Sequence, residues 1–145
     1  MDGTADITQP FAEQFTDATA AVSASATFIL AVSAATSFSS LLKSFEACAN
    51  SLVYKGSATR VFHAMGILGL SASGAAVGTR VTFGVNSSAL SRLEVKKNVG
   101  TADDEIVVQG MVQLANNDRI SLMIRSTAAD ADGFAIKKAV LTVRQ

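Results

Sequence analysis

The chain holds one histidine, His63, and one cysteine, Cys48. A single thiol closes no internal disulfide, and one Cys with one His builds no zinc cage. His63 stands in the apolar run Val61-Phe62-His63-Ala64-Met65, where a lone imidazole belongs to a core or an interface. Catalysis would need a nucleophile beside it and a third group to orient it. Cys48 follows Glu46-Ala47 with no cation nearer than Lys43, so nothing favours its thiolate. Ser40-Leu41-Leu42-Lys43 matches S-x-x-K, but the S-D-N and K-T-G companions of that enzyme class are absent. Asp103-Asp104-Glu105 offers hard oxygen ligands for calcium, yet adjacent acids in a loop are ordinarily solvated. Asp130-Ala131-Asp132-Gly133 fits part of an EF-hand loop, but Ala128 and Ala139 occupy its first and last ligand positions, so it reads as a hairpin turn. Gly69 to Gly74 has phosphate-loop spacing with Ala75 in place of the lysine. Asn86-Ser87-Ser88 is a glycosylation sequon only in a secreted chain. Lys96-Lys97 and Lys137-Lys138 lack interleaved aromatics, which argues against nucleic acid. The expectation is a protein with no catalytic residues, cofactor or metal.

The elements that carry these residues belong to one domain, since 145 residues are about what one core supports. Twelve basic residues balance twelve acidic ones, so no global field draws the chain to nucleic acid or an acidic membrane. Charged residues make up 17% and the hydrophobic class 49%, the reverse of a disordered composition. Mean hydropathy is +0.35, high for a small chain that must stay dispersed. Part of the apolar surface is therefore expected to be buried against other copies. Asp17 and Lys43 bracket an uncharged stretch, but nine of the 25 residues from Ala18 to Leu42 are Ser or Thr. Its densest apolar run, Phe28-Ile29-Leu30-Ala31-Val32, has the length of a strand and not of a membrane span. The start, Met1-Asp2-Gly3-Thr4-Ala5-Asp6, lacks the basic region of a secretory signal.

Residues 1–22 carry Asp2, Asp6, Glu13 and Asp17, no basic residue and the only proline, Pro10. Phe11 and Phe15, four apart, suit a short helical turn or two anchors on an extended arm. The segment is either a frayed terminus or an arm that docks on a partner. From about residue 26 the period becomes two. Phe28, Leu30 and Val32 share a face; Val81-Phe83-Val85, Leu93-Val95, Ile120-Leu122-Ile124 and Val140-Leu141-Val143 give further strands. Ile106, Val108, Val112 and Leu114 line one strand face, with Gln109 and Gln113 opposite. Turn residues punctuate them: Lys55-Gly56-Ser57, Ser73-Gly74, Asn86-Ser87-Ser88, Asn98-Val99-Gly100, Asn116-Asn117-Asp118 and Asp132-Gly133. Seven or eight such strands mean an antiparallel sandwich or barrel. Arg60–Leu70 is apolar on both faces, with Phe62, Ala64 and Leu68 on one and Val61, His63, Met65 and Ile67 on the other. If one face lines the core, the other meets something else, most simply an identical subunit.

Three segments resemble a known family. Leu52-Val53-Tyr54-Lys55-Gly56-Ser57-Ala58-Thr59-Arg60-Val61-Phe62-His63 is similar to the "L-x-Y-x-G … R-x-F-x-V" start of viral tumour-necrosis-factor-like jelly rolls, relatives of the complement-type globular head. Val112-Gln113-Leu114-Ala115-Asn116-Asn117-Asp118-Arg119-Ile120-Ser121-Leu122-Met123-Ile124-Arg125-Ser126 resembles their "v-x-L-a-x-G-D-x-I-x-l-x-v-r-n" hairpin, and Ile136 to Val143 their closing "i-t-v-x-n-a-x-L-x-v" strand. Asn117 stands where the family has Gly, a mild departure because Asn tolerates the left-handed conformation. The resemblance covers roughly residues 26–145. It implies an all-β antiparallel jelly roll, homotrimeric, over residues 23–145, with residues 1–22 as an N-terminal arm. In phages such modules serve as capsid decoration or cement proteins, head fibres and tail-fibre tips.

On this resemblance the chain is expected to be a non-enzymatic virion protein that decorates the capsid surface as a homotrimer. Its partner would be the major capsid protein or another virion component, held by the arm through Phe11 and Phe15. Candidate trimer-interface or core residues are Phe28, Leu30, Tyr54, Phe62, His63, Met65 and Ile67; Asp118 is expected to organise its turn. On this reading the jelly roll is expected to begin soon after Met1, whereas a tail-fibre tip would be expected to follow a long shaft. The alternative is an adhesion head of a phage fibre or spike that binds a receptor or host surface glycan through loops such as 71–79 and 98–105. A single Tyr and no Trp weigh against sugar stacking. A secreted signalling ligand of the same fold is disfavoured by the missing signal and the lone Cys.

Overall fold

The computed structural model describes residues 11–16, 20–22, 29–30, 37–40, 44–48, 51–127 and 133–144. Thirteen strands succeed one another: β1 (Phe11–Thr16), β2 (Ala20–Val22), β3 (Ile29–Leu30), β4 (Ser37–Ser40), β5 (Phe45–Cys48), β6 (Ser51–Tyr54), β7 (Arg60–Ala72), β8 (Val77–Val85), β9 (Ser88–Ala89), β10 (Val95–Val99), β11 (Asp104–Leu114), β12 (Arg119–Ser126) and β13 (Phe134–Arg144). Every pairing is antiparallel. One sheet runs β11-β7-β13-β1-β4, with β2 also on β13. The other runs β10-β8-β12-β6-β5, with β3 on β12 and β9 on β8. The result is the expected antiparallel β-sandwich.

Period-two alternation decides which side chains enter the core. On β7, Phe62, Ala64, Leu68 and Leu70 are buried between the sheets, and Val61, His63, Met65 and Ile67 turn to the other face. On β11, Ile106, Val108, Val112 and Leu114 are buried while Gln109 and Gln113 are exposed. Facing them are Leu52, Val81, Phe83, Ile120, Leu122 and Ile124 of the second sheet. At one end Phe45, Tyr54 and Phe62 pack ring against ring at 5.1–5.3 Å, two of the three pairs edge to face. Gly56 lies under the Tyr54 ring, where a Cβ would fall 2.1 Å from the hydroxyl oxygen. That hydroxyl donates to the Ala58 carbonyl at 2.7 Å.

Turns follow their residues. Val85-Asn86-Ser87-Ser88 closes the β8–β9 hairpin with φ of 52° and 68° at the two central residues, the primed geometry matched to strand twist. Asn117 has φ 69°, the left-handed conformation anticipated at that position.

Two expectations are corrected. Within the segment expected to be an arm, the described residues 11–16 and 20–22 are strands of the sheet. Phe11–Thr16 pairs with β13 from Phe11↔Arg144 to Thr16↔Ala139 and with β4 on its other side, and Ala20–Val22 also pairs β13. Without these strands β13 would present an unpaired edge, so the sheet recruits them although Glu13 and Gln14 interrupt the apolar pattern of the first. Leu93 does not share a strand with Val95. It lies in a 3-10 turn, Ser91–Leu93, and packs on the bare backbone of Gly110, where a Cβ would come within 2.4 Å of its methyl.

Candidate assembly face

The outward face of the first sheet is built from three strands that alternate in phase. Antiparallel register sets Val107, Ile67 and Val140 in one row across β11, β7 and β13. Gln109, Met65 and Thr142 form the next, and Met111, His63 and Arg144 the third. The backbone of β1 continues each row, with Phe15 opposite Val140, Glu13 opposite Thr142 and Phe11 opposite Arg144. Val61 extends the face beside Gln113.

Among the described residues three large apolar side chains are exposed: Val61 at 52%, Val107 at 44% and Met111 at 51%. All three lie on this one face. His63, Met65, Ile67 and Val140 are half-buried beside them. Scattered exposed apolar residues are ordinary on any surface, but a contiguous patch on one sheet marks an interface.

The rim is held by ion pairs. Lys138 crosses over Gly69, whose missing side chain leaves room for its stem, and reaches Glu105 Oε2 at 2.7 Å. A bulge between Ile136 and Lys138 frees Lys137 to meet Asp103 at 2.6 Å. Lys97 Nζ donates to Asp104 Oδ1 at 2.7 Å and to the Glu105 carbonyl at 3.0 Å. The Lys97 ammonium, helped by the Glu105 N–H donated to the same carboxylate, holds Asp104 below its usual pKa. Each acid of Asp103-Asp104-Glu105 thus has a lysine, and among the described residues no three His, Cys, Asp or Glu gather as a metal site.

Asp118 sits at the end of the sandwich away from that rim. Its Oδ2 accepts the Ala115 N–H at 2.8 Å, the turn bond expected of it, and its Oδ1 accepts from Asn86 Nδ2 at 2.8 Å. Asn86 Oδ1 in turn accepts the Arg119 N–H, and Lys55 donates to Asn117 Oδ1 at 2.9 Å. The carboxylate ties its own turn to the β8–β9 turn, and Asn117 adds the loop that carries Lys55.

The singled-out residues therefore separate. His63, Met65 and Ile67 share the outward face, whereas Tyr54 and Phe62 are core. Leu30 lies in β3 opposite Met123, and Phe28 falls outside the described residues. Phe11 and Phe15 are strand positions of β1. Val107, Met111 and Val140 were not anticipated on the outward face. The signal was there in Ile106-Val107-Val108 and Met111-Val112, which are apolar on both strand faces.

No protein-family model and no curated protein matches the chain. Solved structures match it in fold. Eiger TNF from S. frugiperda superposes with a TM-score of 0.59 at 14% identity, covering 94% of both chains. Murine APRIL at pH 8.0 superposes with a TM-score of 0.52 at 13% identity, covering 93% of this chain and 99% of that one. The fold is a tumour-necrosis-factor-like jelly roll. No helix among the described residues is long and apolar enough to cross a membrane.

Proposed function

We propose that the protein is a non-enzymatic structural module that works as a homotrimer, closed through the outward face of β1, β7, β11 and β13. The observation that carries this reading is the confinement to that face of Val61, Val107 and Met111, the exposed large apolar side chains among the described residues. Three chains around one axis bury such a patch without leaving a copy of it open, which a head-to-tail chain does not. Light scattering at micromolar concentration tests it: a trimer mass is expected, and a stable 15.0 kDa monomer overturns it.

Its finer form is a decoration or cement protein on a phage capsid. What supports it is the resemblance of Leu52–His63 and Val112–Ser126 to viral jelly rolls. With Phe11 and Phe15 inside a strand of the sheet, attachment falls to residues 1–10, which carry Asp2 and Asp6. Co-sedimentation with undecorated capsids, full-length against a chain lacking residues 2–10, tests this. Equal binding by the two chains removes the N-terminal segment as the attachment, and no binding by either removes the capsid.

A further inference from the structure

The outward face of the first sheet holds one ionisable side chain in its interior. From Val61 and Gln113 to Ile67 and Val107, the outward positions of β7 and β11 are apolar or amide, His63 apart. The imidazole is half-buried, and it makes no hydrogen bond or ion pair among the described residues. Register places Met111 of β11 on one side of it and Arg144 of β13 on the other, with Gln109, Gln113 and Thr142 on the diagonals. Val61 and Met65 flank it along its own strand, where Arg60 has the opposite parity. From the sheet edge Arg92 donates to the Met111 carbonyl at 2.9 Å. The charges around His63 are therefore cationic.

The carboxylates of this sheet stand farther off. Glu105, held by Lys138, lies three rows away, roughly 20 Å at about 3.4 Å per residue. Glu13 of β1 lies two strands and one row away, roughly 10 Å across at about 4.8 Å per strand. Both separations exceed the ~8 Å over which physiological salt screens exposed charges. A neutral imidazole suits such a face, and an imidazolium does not. Closing the face desolvates the cation beside Arg144, and no opposite charge in its row offsets the cost. The free chain therefore binds a proton that the assembly excludes, and acid draws the equilibrium toward free chains. The chain has no other histidine, and carboxylates ordinarily protonate near pH 4. Between pH 7.5 and 5.5 the ion pairs of the rim persist while an imidazole changes charge.

We propose, building on the homotrimer reading, that protonation of His63 opens the assembly, so that it holds at neutral pH and loosens in mild acid. Fluorescence-detected sedimentation of the full-length protein, diluted from micromolar to nanomolar at pH 7.5 and at pH 5.5, tests the two readings separately. At pH 5.5, one unit below the roughly 6.5 of an ordinary imidazole, each chain should favour the free form about tenfold, and three chains together about a thousandfold. The protein concentration at half-dissociation should then rise about thirtyfold, the square root of that factor for a trimer. His63→Gln, which takes no proton, should keep one midpoint at both pH values. His63→Lys, which carries its charge throughout, should have the weaker midpoint already at pH 7.5. The far-ultraviolet dichroism of the sandwich should be equal at both pH values, and its loss at pH 5.5 would place the acid effect in the fold and overturn the switch. A monomer at every concentration at pH 7.5 removes the trimer and the switch with it. A trimer whose midpoint stays, or falls in acid because a neighbouring copy brings a carboxylate to His63, removes the switch alone. So does an acid shift that His63→Gln retains, or a His63→Lys midpoint equal to that of the parent at pH 7.5.

Discussion

At the scale of single residues the sequence is most transparent where backbone geometry leaves little choice. Leu52, Tyr54 and Gly56 are legible because a buried ring must lie over a residue without a side chain. Asn117-Asp118 is legible because one residue takes a positive φ and the next supplies an acceptor. Asp118→Ala removes two accepted bonds, one from a backbone N–H and one from Asn86. The expected loss is about 1–2 kcal/mol. It should appear as a lower urea midpoint at constant m-value, and an unmoved midpoint would show that the turn holds itself. Asp104 gives a pH prediction. Lys97 and the Glu105 N–H depress its pKa from the ordinary 3.8, so its contribution is present above that value and fades as pH falls through the depressed one. Asp104→Asn should therefore flatten the acid limb of the stability profile below about pH 4 and leave its neutral shape alone. An acid limb that Asp104→Asn does not alter would mean that Lys97 adds nothing there.

At the scale of elements, long strands with strict alternation declare themselves, and β7, β11 and β12 do so at nearly their full length. The beginning of the chain does not. Phe11 and Phe15 are four residues apart, and that spacing places two side chains on one side of a helical turn and equally on one face of a strand. Glu13 and Gln14 between them erase the apolar contrast that would separate the two. Only the pairing partner decides, and β13 lies more than a hundred residues away in the sequence. The consequence differs for two truncations. Removing residues 2–10 leaves every described strand intact and should not change thermal stability. Removing residues 2–16 deletes a six-residue strand from between β13 and β4. At roughly 0.5–1.5 kcal/mol per net backbone hydrogen bond, the expected cost is on the order of 3 kcal/mol or more. Calorimetric melting compares the two, and equal melting temperatures would place β1 outside the cooperative unit.

At the scale of the whole molecule the two sheet faces that point outward are unlike. One presents Val61, Val107 and Met111 around His63, Met65 and Ile67; the other presents Lys96, Arg80 and Arg125. Such asymmetry is what a chain needs if one face is to be covered by its own copies and the other is to stay in water. The proposed trimer would also account for the high mean hydropathy of +0.35, since residues that read as surplus apolar surface in one chain would become interior in three. Met111→Lys probes this without touching the core. The side chain is half exposed in the single chain, so its replacement should cost the isolated fold under about 0.5 kcal/mol. In the closed assembly the same lysine is desolvated three times, with Arg144 beside His63 in its own row and no carboxylate side chain described there. The Coulomb repulsion and the desolvation both oppose association, so the assembly should fall apart at micromolar concentration. The expected result is a drop from about 45 kDa to one chain of 15.0 kDa in sedimentation equilibrium, with the far-ultraviolet dichroism of the sandwich retained. Met111→Leu keeps the apolar volume and should keep the trimer. If Met111→Lys sediments as the parent does, the outward face of β7 and β11 is not the one that the copies share.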